Sequence, residues 1–425
     1  MAAQANQQYP AVKAAFYLVT GILTAAGVAA IIYRFVEGLK VTALTSNMAW
    51  GLWISFYILF VGLSAGSFLL STMIYVFGIH RLERVGRLAL LTAILALIGA
   101  LLFVWIDLGH MERFWRVFVN WHGTSIMAIE FLLYNFYILL MVVELWFLMR
   151  LDLAAMASRN GLRGRVARAL LFGFRYPTTT EGYKEAESTA LRVAKVLGII
   201  GIPTAIGVHG GTGAIFAVAI SRPYWNSGLF PIMFLVSALA SGSALITFLY
   251  ALLGRRDEEF LPTLRGLAGL MILFISLDAL LVASDFIAGF YQRGTAESES
   301  LRELALGQYA WIFWGGEAGL GLLLPVILVG LGRRSALWMG TAGLSMLMGI
   351  VAVRYDIVVP GYIRPVLAGL DIAYQDQRFL YQYAPSGMEW LISVGLIAFL
   401  ALMLAVALDV LPLGQEIKPI GASRR

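Results

Sequence analysis

The sequence contains no cysteine among its 425 residues. Disulfide bonds, thiolate-bound zinc and cysteine-ligated iron–sulfur clusters are therefore excluded within this chain. Histidine is scarce as well, because the sequence has only His80, His110, His122 and His209. A transmembrane b-type haem needs two facing histidines inside helices, and only His209 lies within an apolar segment. We therefore expect neither a haem nor an iron–sulfur cluster nor another metal in this polypeptide.

Charged residues are scarce as well. Asp, Glu, Lys and Arg make up 13% of the residues, whereas 60% are hydrophobic. A spanning helix requires roughly 20 apolar residues, and ten segments meet this requirement. They are residues 14–33, 50–77, 88–108, 125–149, 193–220, 229–253, 264–291, 311–331, 336–355 and 388–411. We predict an all-α integral membrane protein with about ten transmembrane helices, the first of which is a retained span and not a cleaved signal peptide.

Successive loops are alternately rich and poor in Lys and Arg. Of the 31 Lys and Arg residues, 21 fall in one alternating set, which includes both termini, and 10 fall in the other. Cytoplasmic loops carry the excess of Lys and Arg. We therefore predict a multi-pass protein of a bacterial or archaeal cytoplasmic (inner) membrane, with both termini in the cytoplasm. Because the positive charge follows the loops, it indicates a lipid bilayer and not nucleic acid as the partner.

Two of the predicted connections are long. The cytoplasmic segment 150–192 is basic and polar, and it is long enough to form a helix along the membrane surface. The outer segment 356–388 is rich in aromatic residues and contains Pro360 and Pro385. An ordered outer loop of that length is typical of a docking site, and an interfacial aromatic belt is the alternative.

Helices two to five and helices six to nine share a pattern. Small-residue motifs around Gly66 and Gly242 occupy matching helices, and carboxylates recur at matching outer ends: Asp107 with Asp285, and Glu130 with Glu317. An offset of four helices gives both halves the same orientation. We predict two four-helix bundles plus flanking helices. The divisions are 1–44 (N-terminal segment and first flanking helix), 45–222 (first bundle), 223–360 (second bundle) and 361–425 (outer loop, last helix and cytoplasmic tail).

Several ionisable side chains lie inside the predicted helices. A charged group at the bilayer centre costs about 3 kcal/mol on insertion scales, so each must be paired, protonated or hydrated. The candidates for a proton path are His209, Asp278, Asp285, Glu317 and Arg354. Hydrogen bonding between helices, or a position shallow enough to reach water, is the structural alternative, and for Asp107 and Arg354 it is as good an explanation as function.

The loop between helices three and four combines acidic, basic, imidazole and indole side chains. Such a set suits a quinone head group, which needs hydrogen-bond partners, a proton-exchanging group and an apolar slot for its tail. We predict catalytic roles for Glu130, His110 and Asp107. The predicted quinone contacts are His110, Arg113, His122, Glu130, Tyr134 and Tyr57. Ordinary interfacial polarity is the alternative for His110 and His122.

Separated motifs resemble the polysulfide reductase membrane-subunit family, called NrfD-like, over about residues 45–411. They include Asp107-Leu108-Gly109 with Arg113-Phe114-Trp115, Arg222-Pro223-Tyr224-Trp225-Asn226, and Tyr383-Ala384-Pro385 with Glu389-Trp390. The resemblance is to the ten-helix branch, which includes the hydrogenase b-type membrane subunit, the sulfite-reductase-associated membrane subunit, and the quinone reductase and alternative complex III membrane subunits.

This resemblance implies a haem-free membrane anchor subunit of a respiratory complex, which is not catalytic alone. Such a subunit exchanges electrons between the quinone pool (menaquinone or ubiquinone) and a ferredoxin-like iron–sulfur subunit on the periplasmic face. The resemblance also implies further redox subunits, such as a molybdopterin enzyme, a multihaem cytochrome or a hydrogenase.

Two other functions stay open at this point. A secondary transporter would also use internal repeats and a midplane carboxylate such as Asp278, although the two halves lack a matching pair of Gly/Pro-broken helices. A structural scaffold that no longer binds quinone is the other. The second bundle accordingly offers either a proton route or structural support.

Overall fold

The computed structural model describes residues 10–292, 294–363, 365, 369–373 and 376–413. These residues form helices and no strands, and ten helices are long and apolar enough to cross a membrane. They are α1 (Pro10–Glu37), α2 (Leu52–Tyr75), α3 (Glu83–Asp107), α4 (Ile126–Met156), α5 (Thr180–Ala217), α6 (Phe230–Leu253), α7 (Phe260–Tyr291), α8 (Ile312–Gly332), α9 (Ala336–Val358) and α10 (Gly387–Val410). The prediction of an all-α integral membrane fold with ten spans is confirmed. The predicted basic tail, with Lys418, Arg424 and Arg425, lies outside the described residues.

Side-chain caps define where several of these helices begin. The hydroxyl of Ser125 accepts a hydrogen bond from Ala128 N at the start of α4, and Thr179 does the same from Gly182 N at the start of α5. Ser386 and Glu389 form a reciprocal capping box at the start of α10. Since the first amides of a helix have no partner within it, these caps satisfy donors that lie near the membrane surface.

The helices form two closed groups. In the first group α2 contacts α3 and α5, and α4 completes the ring. In the second group α6 contacts α7 and α9, and α8 completes the ring. The helix α2 is central, because it also contacts α6, α9 and α10 and is almost entirely buried. The flanking helices α1 and α10 pack on each other, where Gly27 meets Gly395.

Two segments depart from the regular membrane-spanning α-helix. The connection between α4 and α5 contains the short basic helix Leu162–Leu170. The first part of α8, Ile312–Leu323, is a π-helix that continues into the α-helix Leu324–Gly332. π-Helical turns are rare and frequent at functional sites, and Glu317 lies within this one.

Candidate functional site

A buried hydrogen-bonded cluster surrounds Glu130. Tyr134, one turn further along α4, donates to Glu130 Oε1 at 2.5 Å, and the hydroxyls of Tyr57 on α2 and Tyr134 are 2.6 Å apart. Thr212 on α5 also donates to Glu130 Oε1 and lies 2.9 Å from the Tyr134 hydroxyl. The exposed fractions of Glu130, Tyr134, Tyr57 and Thr212 are all 6% or less. Three helices therefore hold one carboxyl group among three hydroxyls.

The hydroxyl groups of this cluster can form a chain of hydrogen bonds in which each donates to the next. Each hydroxyl has one proton to donate. Tyr57 can donate to Tyr134, which donates to Glu130, while Thr212 donates either to Glu130 or to the backbone oxygen of Val208, 2.9 Å away. Rotation of the hydroxyls would reverse this order. The cluster can therefore hold a proton at Glu130 and pass it on without moving a helix.

The composition of the cluster suits a quinone head group. The carboxyl and phenol groups supply both proton donors and proton acceptors for carbonyl oxygens. Two glycines of α5 adjoin the cluster: a Cβ at Gly211 would lie 3.8 Å from Glu130 Cγ, and one at Gly210 would meet no atom within 4 Å. The backbone of α5 therefore passes close to Glu130 at Gly211 without a side chain between them.

The other residues predicted for this site lie in the connection between α3 and α4. His110 is about two-thirds exposed and bonds through Nδ1 to Glu112 at 3.0 Å, while Arg113 is half-exposed and also pairs with Glu112. A backbone hydrogen bond and, to a lesser extent, His110 lower the pKa of the Glu112 carboxyl. His122 is exposed and bonds to Thr124 at 2.9 Å. In the described part of the chain neither imidazole bonds to the Glu130 cluster.

Asp107, at the end of α3, belongs to a different polar group. The buried guanidinium of Arg34 on α1 lies within electrostatic range of Asp107 and donates to the backbone oxygen of Leu108 at 2.6 Å. Arg34 also lies over the ring of Trp53, 6.0 Å from its centroid. Asp107 therefore helps to anchor α1 to the start of α2 and the end of α3, and no described hydrogen bond joins it to Glu130.

A polar cavity lies in the second half of the molecule, among α6, α7, α8 and α9. It brings together four of the ionisable residues predicted for a proton path or a buried site: Asp278, Asp285, Glu317 and Arg354. Its space for water-sized molecules is about 40 Å³. One water needs roughly 10–15 Å³ by this measure, whereas ligand pockets usually exceed about 300 Å³. The cavity therefore fits a few waters but not a quinone ring.

Two buried residues link this cavity to the first half. Arg354 donates to the Ser237 hydroxyl at 3.0 Å, and a Cβ at Gly62 of α2 would lie 3.2 Å from Arg354 Nη2. His209 on α5 is 1% exposed and interacts electrostatically with Arg354, and neither of its ring nitrogens has a hydrogen-bond partner among the described residues. Buried polar atoms without protein partners are usually satisfied by water, so water is expected between the halves.

The sequence assigned no role to several polar residues that the structure buries. Asp356 lines the cavity, and within the described part of the chain neither of its carboxyl oxygens has a hydrogen-bond partner. The sequence places it in the outer loop, because the predicted ninth span ends at residue 355. Glu144 accepts from the Ser71 hydroxyl at 2.6 Å near the other end of α4. Thr212 could have been found from its place one turn after His209, in a stretch that resembles the family. Within the described residues, no group of three or more His, Asp or Glu side chains is arranged to hold a metal ion.

Comparisons with known proteins agree with this architecture. Residues 40–368 match the family described as polysulphide reductase, NrfD. The chain is 44% identical to a selenate reductase subunit of Mesobacillus selenatarsenatis, over 96% of each protein. It is 28% identical to a polysulfide reductase chain of Wolinella succinogenes, over 74% of the present protein and 95% of that one. It is 26% identical to the Hdr-like menaquinol oxidoreductase integral membrane subunit of Archaeoglobus fulgidus, over 95% and 94%. The chain belongs to the polysulphide reductase NrfD family of membrane subunits.

Proposed function

We propose that this chain is the haem-free, quinone-reactive membrane subunit of a respiratory oxidoreductase. It resides in the cytoplasmic membrane with both termini inside, and it transfers electrons between the quinone pool and an iron–sulfur subunit on the outer face. The observation that carries the proposal is the buried cluster of Glu130, Tyr134, Tyr57 and Thr212. Family membership favours this function over a secondary transporter.

The cluster supplies the proton chemistry that a quinone site requires. A bound quinol releases protons together with its electrons, so the site needs an acceptor that water does not reach freely. Glu130 is the acceptor, because it is the cluster's only carboxyl group and is 2% exposed. Tyr57 and Tyr134 orient the head group through their hydroxyls and relay the proton. His110 and His122, which lie in the exposed loop, act at the entrance to the site and not at Glu130.

The outer loop between α3 and α4 is the docking surface for the electron-transfer partner. Its aromatic side chains are about half exposed: Phe114 48%, Trp115 51%, Phe118 47% and Trp121 51%. Arg113 and Arg116 add positive charge beside them. Aromatic residues and arginine are enriched at protein interfaces, and this loop follows α3 and precedes the start of α4, close to Glu130. A short electron path between the partner and the quinone requires that proximity.

The direction of electron flow is from quinol to a terminal reductase. The 44% identical relative is named as a subunit of selenate reductase, and another relative is named as part of polysulfide reductase. Enzymes with such names consume electrons. We extend this direction to the present protein, with a molybdopterin enzyme as the terminal subunit.

A polar band offers a route for protons from Glu130 into the second half. Thr212 and His209 lie one turn apart on α5. His209 is within electrostatic range of Arg354, which lines the cavity together with Asp278, Asp285 and Glu317. The unpartnered atoms of His209 and Arg354 provide sites for bridging waters. Proton release through this band would couple quinol oxidation to proton translocation.

Substitution of Glu130 tests the proposal. Glu130→Gln keeps the size of the side chain and much of its hydrogen bonding but cannot exchange a proton near neutral pH. Loss of a general acid–base group typically costs on the order of 10²-fold in rate, so we expect quinol-dependent turnover to fall by about that factor. Turnover is measured in membranes containing the assembled complex, and assembly is checked by copurification of the iron–sulfur subunit.

Glu144→Gln is the matched control, because Glu144 is a fully buried carboxyl group on the same helix with a single hydroxyl partner. It should retain turnover close to that of the unsubstituted protein. Asp278→Asn should affect electron transfer less than Glu130→Gln, although it should reduce proton translocation. Full quinol activity in Glu130→Gln, combined with its loss in an assembled Asp278→Asn complex, would place the quinone site in the second half instead.

A further inference from the structure

The connection between α4 and α5 folds back onto the membrane surface. Trp146 lies twenty residues after the start of α4, which is about 30 Å along the helix and so about one hydrocarbon thickness. The helix then continues for ten residues to Met156, about 15 Å further. Yet the indole nitrogen of Trp146 donates to the backbone oxygen of Leu170 at 2.7 Å. The end of the helix Leu162–Leu170 has therefore returned to the depth of Trp146, at the membrane boundary.

Specific contacts hold this connection in place. The guanidinium of Arg150 lies between the rings of Phe147 and Phe174, at 4.7 and 4.8 Å from their centroids. Arg168 donates to the backbone oxygen of Ala157 at 2.7 Å. A Cβ at Gly164 would lie 1.8 Å from the backbone oxygen of Arg159, so only glycine permits this packing. The segment is a defined element of the fold with a fixed outward surface.

That outward surface combines positive charge with exposed apolar groups. Residues 153–180 contain five arginines and no Asp or Glu. Four of the arginines are exposed and have no ion pair with any described carboxylate: Arg159, Arg163, Arg165 and Arg175. Leu162 is 59% exposed, and Phe172, with a φ of 45°, is 79% exposed. Exposed apolar side chains at membrane depth face acyl chains, while the neighbouring arginines face the headgroups.

We propose that residues 157–176, here called the basic segment, bind the headgroups of anionic phospholipids in the adjacent leaflet. Arginine binds phosphate through paired N–H donors, and basic amphipathic segments bind anionic membrane surfaces. The depth fixed by Trp146 and the exposure of Phe172 favour a lipid over a free phosphate ion or a soluble acidic protein. This proposal does not depend on the quinone site.

The absence of native cysteine allows a direct test on the full-length protein. Ala169, which is exposed in the basic segment, is replaced by cysteine and labelled with a bimane fluorophore in nanodiscs. Brominated phosphatidylglycerol and brominated phosphatidylcholine are compared as quenchers in a background of unlabelled phosphatidylcholine. We expect phosphatidylglycerol to quench at lower mole fraction, with an apparent affinity at least about fivefold higher, which is the preference that a single arginine at a membrane surface adds.

The double substitution Arg163→Gln and Arg165→Gln should markedly lower the preference for phosphatidylglycerol, although Arg159 and Arg175 remain. The matched control is Arg333→Gln with Arg334→Gln, which removes two exposed arginines from the connection between α8 and α9 and should retain the preference. Melting temperatures of both variants establish that they are folded, and Arg175→Gln alone provides a milder change. Equal quenching in the parent protein, an unchanged preference in the Arg163 and Arg165 variant, or displacement of the lipid by millimolar inorganic phosphate or by a soluble partner subunit would overturn the proposal.

Discussion

At the scale of single residues, glycines without a side chain decide how closely the two four-helix groups pack. A Cβ at Gly66 would lie 2.7 Å from both the backbone oxygen of Ala238 and the Cα of Gly242. Backbone atoms cannot yield as a flexible side chain can. Helix association in a bilayer relies on such close packing. Because lipid chains are as apolar as the helix surfaces, no hydrophobic force drives the helices together. These glycines therefore determine the distance between α2 and α6, on which the positions of Tyr57 and Arg354 depend.

Gly66→Ala should destabilise the protein. The added methyl group must push α2 away from α6, and overpacking of this kind typically costs about 1–3 kcal/mol. We expect a lower thermal unfolding midpoint in detergent. Gly266→Ala is the control, because that helical glycine of α7 has no atom within 4 Å of the added Cβ, and alanine is a better helix former than glycine. Equal midpoints for the two variants would contradict the role assigned to Gly66.

At the scale of elements, one tyrosine joins the starts of α2 and α10. The hydroxyl of Tyr383 accepts a hydrogen bond from Leu52 N at 2.7 Å and donates to Glu389 Oε1 at 2.5 Å. Glu389 in turn accepts from Ala43 N and Ser386 N. Since α2 has no side-chain cap of its own, Tyr383 supplies that function from a distant loop. Gly51 leaves space for the ring, because a Cβ there would lie 2.3 Å from it.

Tyr383→Phe should loosen this junction. Leu52 N would lose its acceptor, and a buried polar group without a partner costs about 1–3 kcal/mol. We expect faster hydrogen exchange at residues 51–55 and a lower melting temperature. Tyr381→Phe is the control, because the Tyr381 hydroxyl makes no hydrogen bond among the described residues, and it should leave both measurements unchanged. Unaltered exchange at Leu52 in Tyr383→Phe would argue against the capping role.

The same junction predicts a dependence on pH. Burial, and then the charge of Glu389, raise the pKa of Tyr383 above that of an ordinary phenol. A group whose pKa is raised by folding contributes stability below its unfolded pKa, here roughly 10. That contribution is lost as the pH rises further. The difference in melting temperature between the unsubstituted protein and Tyr383→Phe should therefore be constant from neutral pH to about 10 and shrink above it.

At the scale of the whole molecule, the spans and the loop charges together predict the orientation. Ten helices place Ser158 and Ala384 on opposite sides of the membrane, and both residues are exposed. Single cysteines at these positions should react with a membrane-impermeant maleimide from opposite sides, Ala384 in intact cells and Ser158 only after the cells are opened. Labelling of both positions in intact cells would refute the predicted topology.

The sequence by itself determined the class of the fold and most of the helices. In a bilayer every backbone polar group must be satisfied within its own helix, so the length of each apolar run decides whether it spans. Local spacing also paired Glu130 with Tyr134, because residues four apart on a helix share a face. The predicted spans differ from the structure mainly at the polar ends of helices, as at the end of α4 and the start of α5. Hydropathy identifies the apolar part of a helix and not its polar extension.

Only the tertiary structure decided which polar groups meet. The hydroxyl of Tyr57 on α2 bonds to Tyr134, and that of Thr212 on α5 donates to Glu130, across contacts that no local pattern encodes. Arg354 comes within electrostatic range of His209 because α9 and α5 both pack on α2. His110, by contrast, lies near Glu130 in the sequence but turns to Glu112 in the exposed loop. Closeness in the sequence does not predict a contact there. Side chains of a short exposed loop form hydrogen bonds with their own neighbours, whereas buried polar groups need hydrogen-bond partners, which other helices supply.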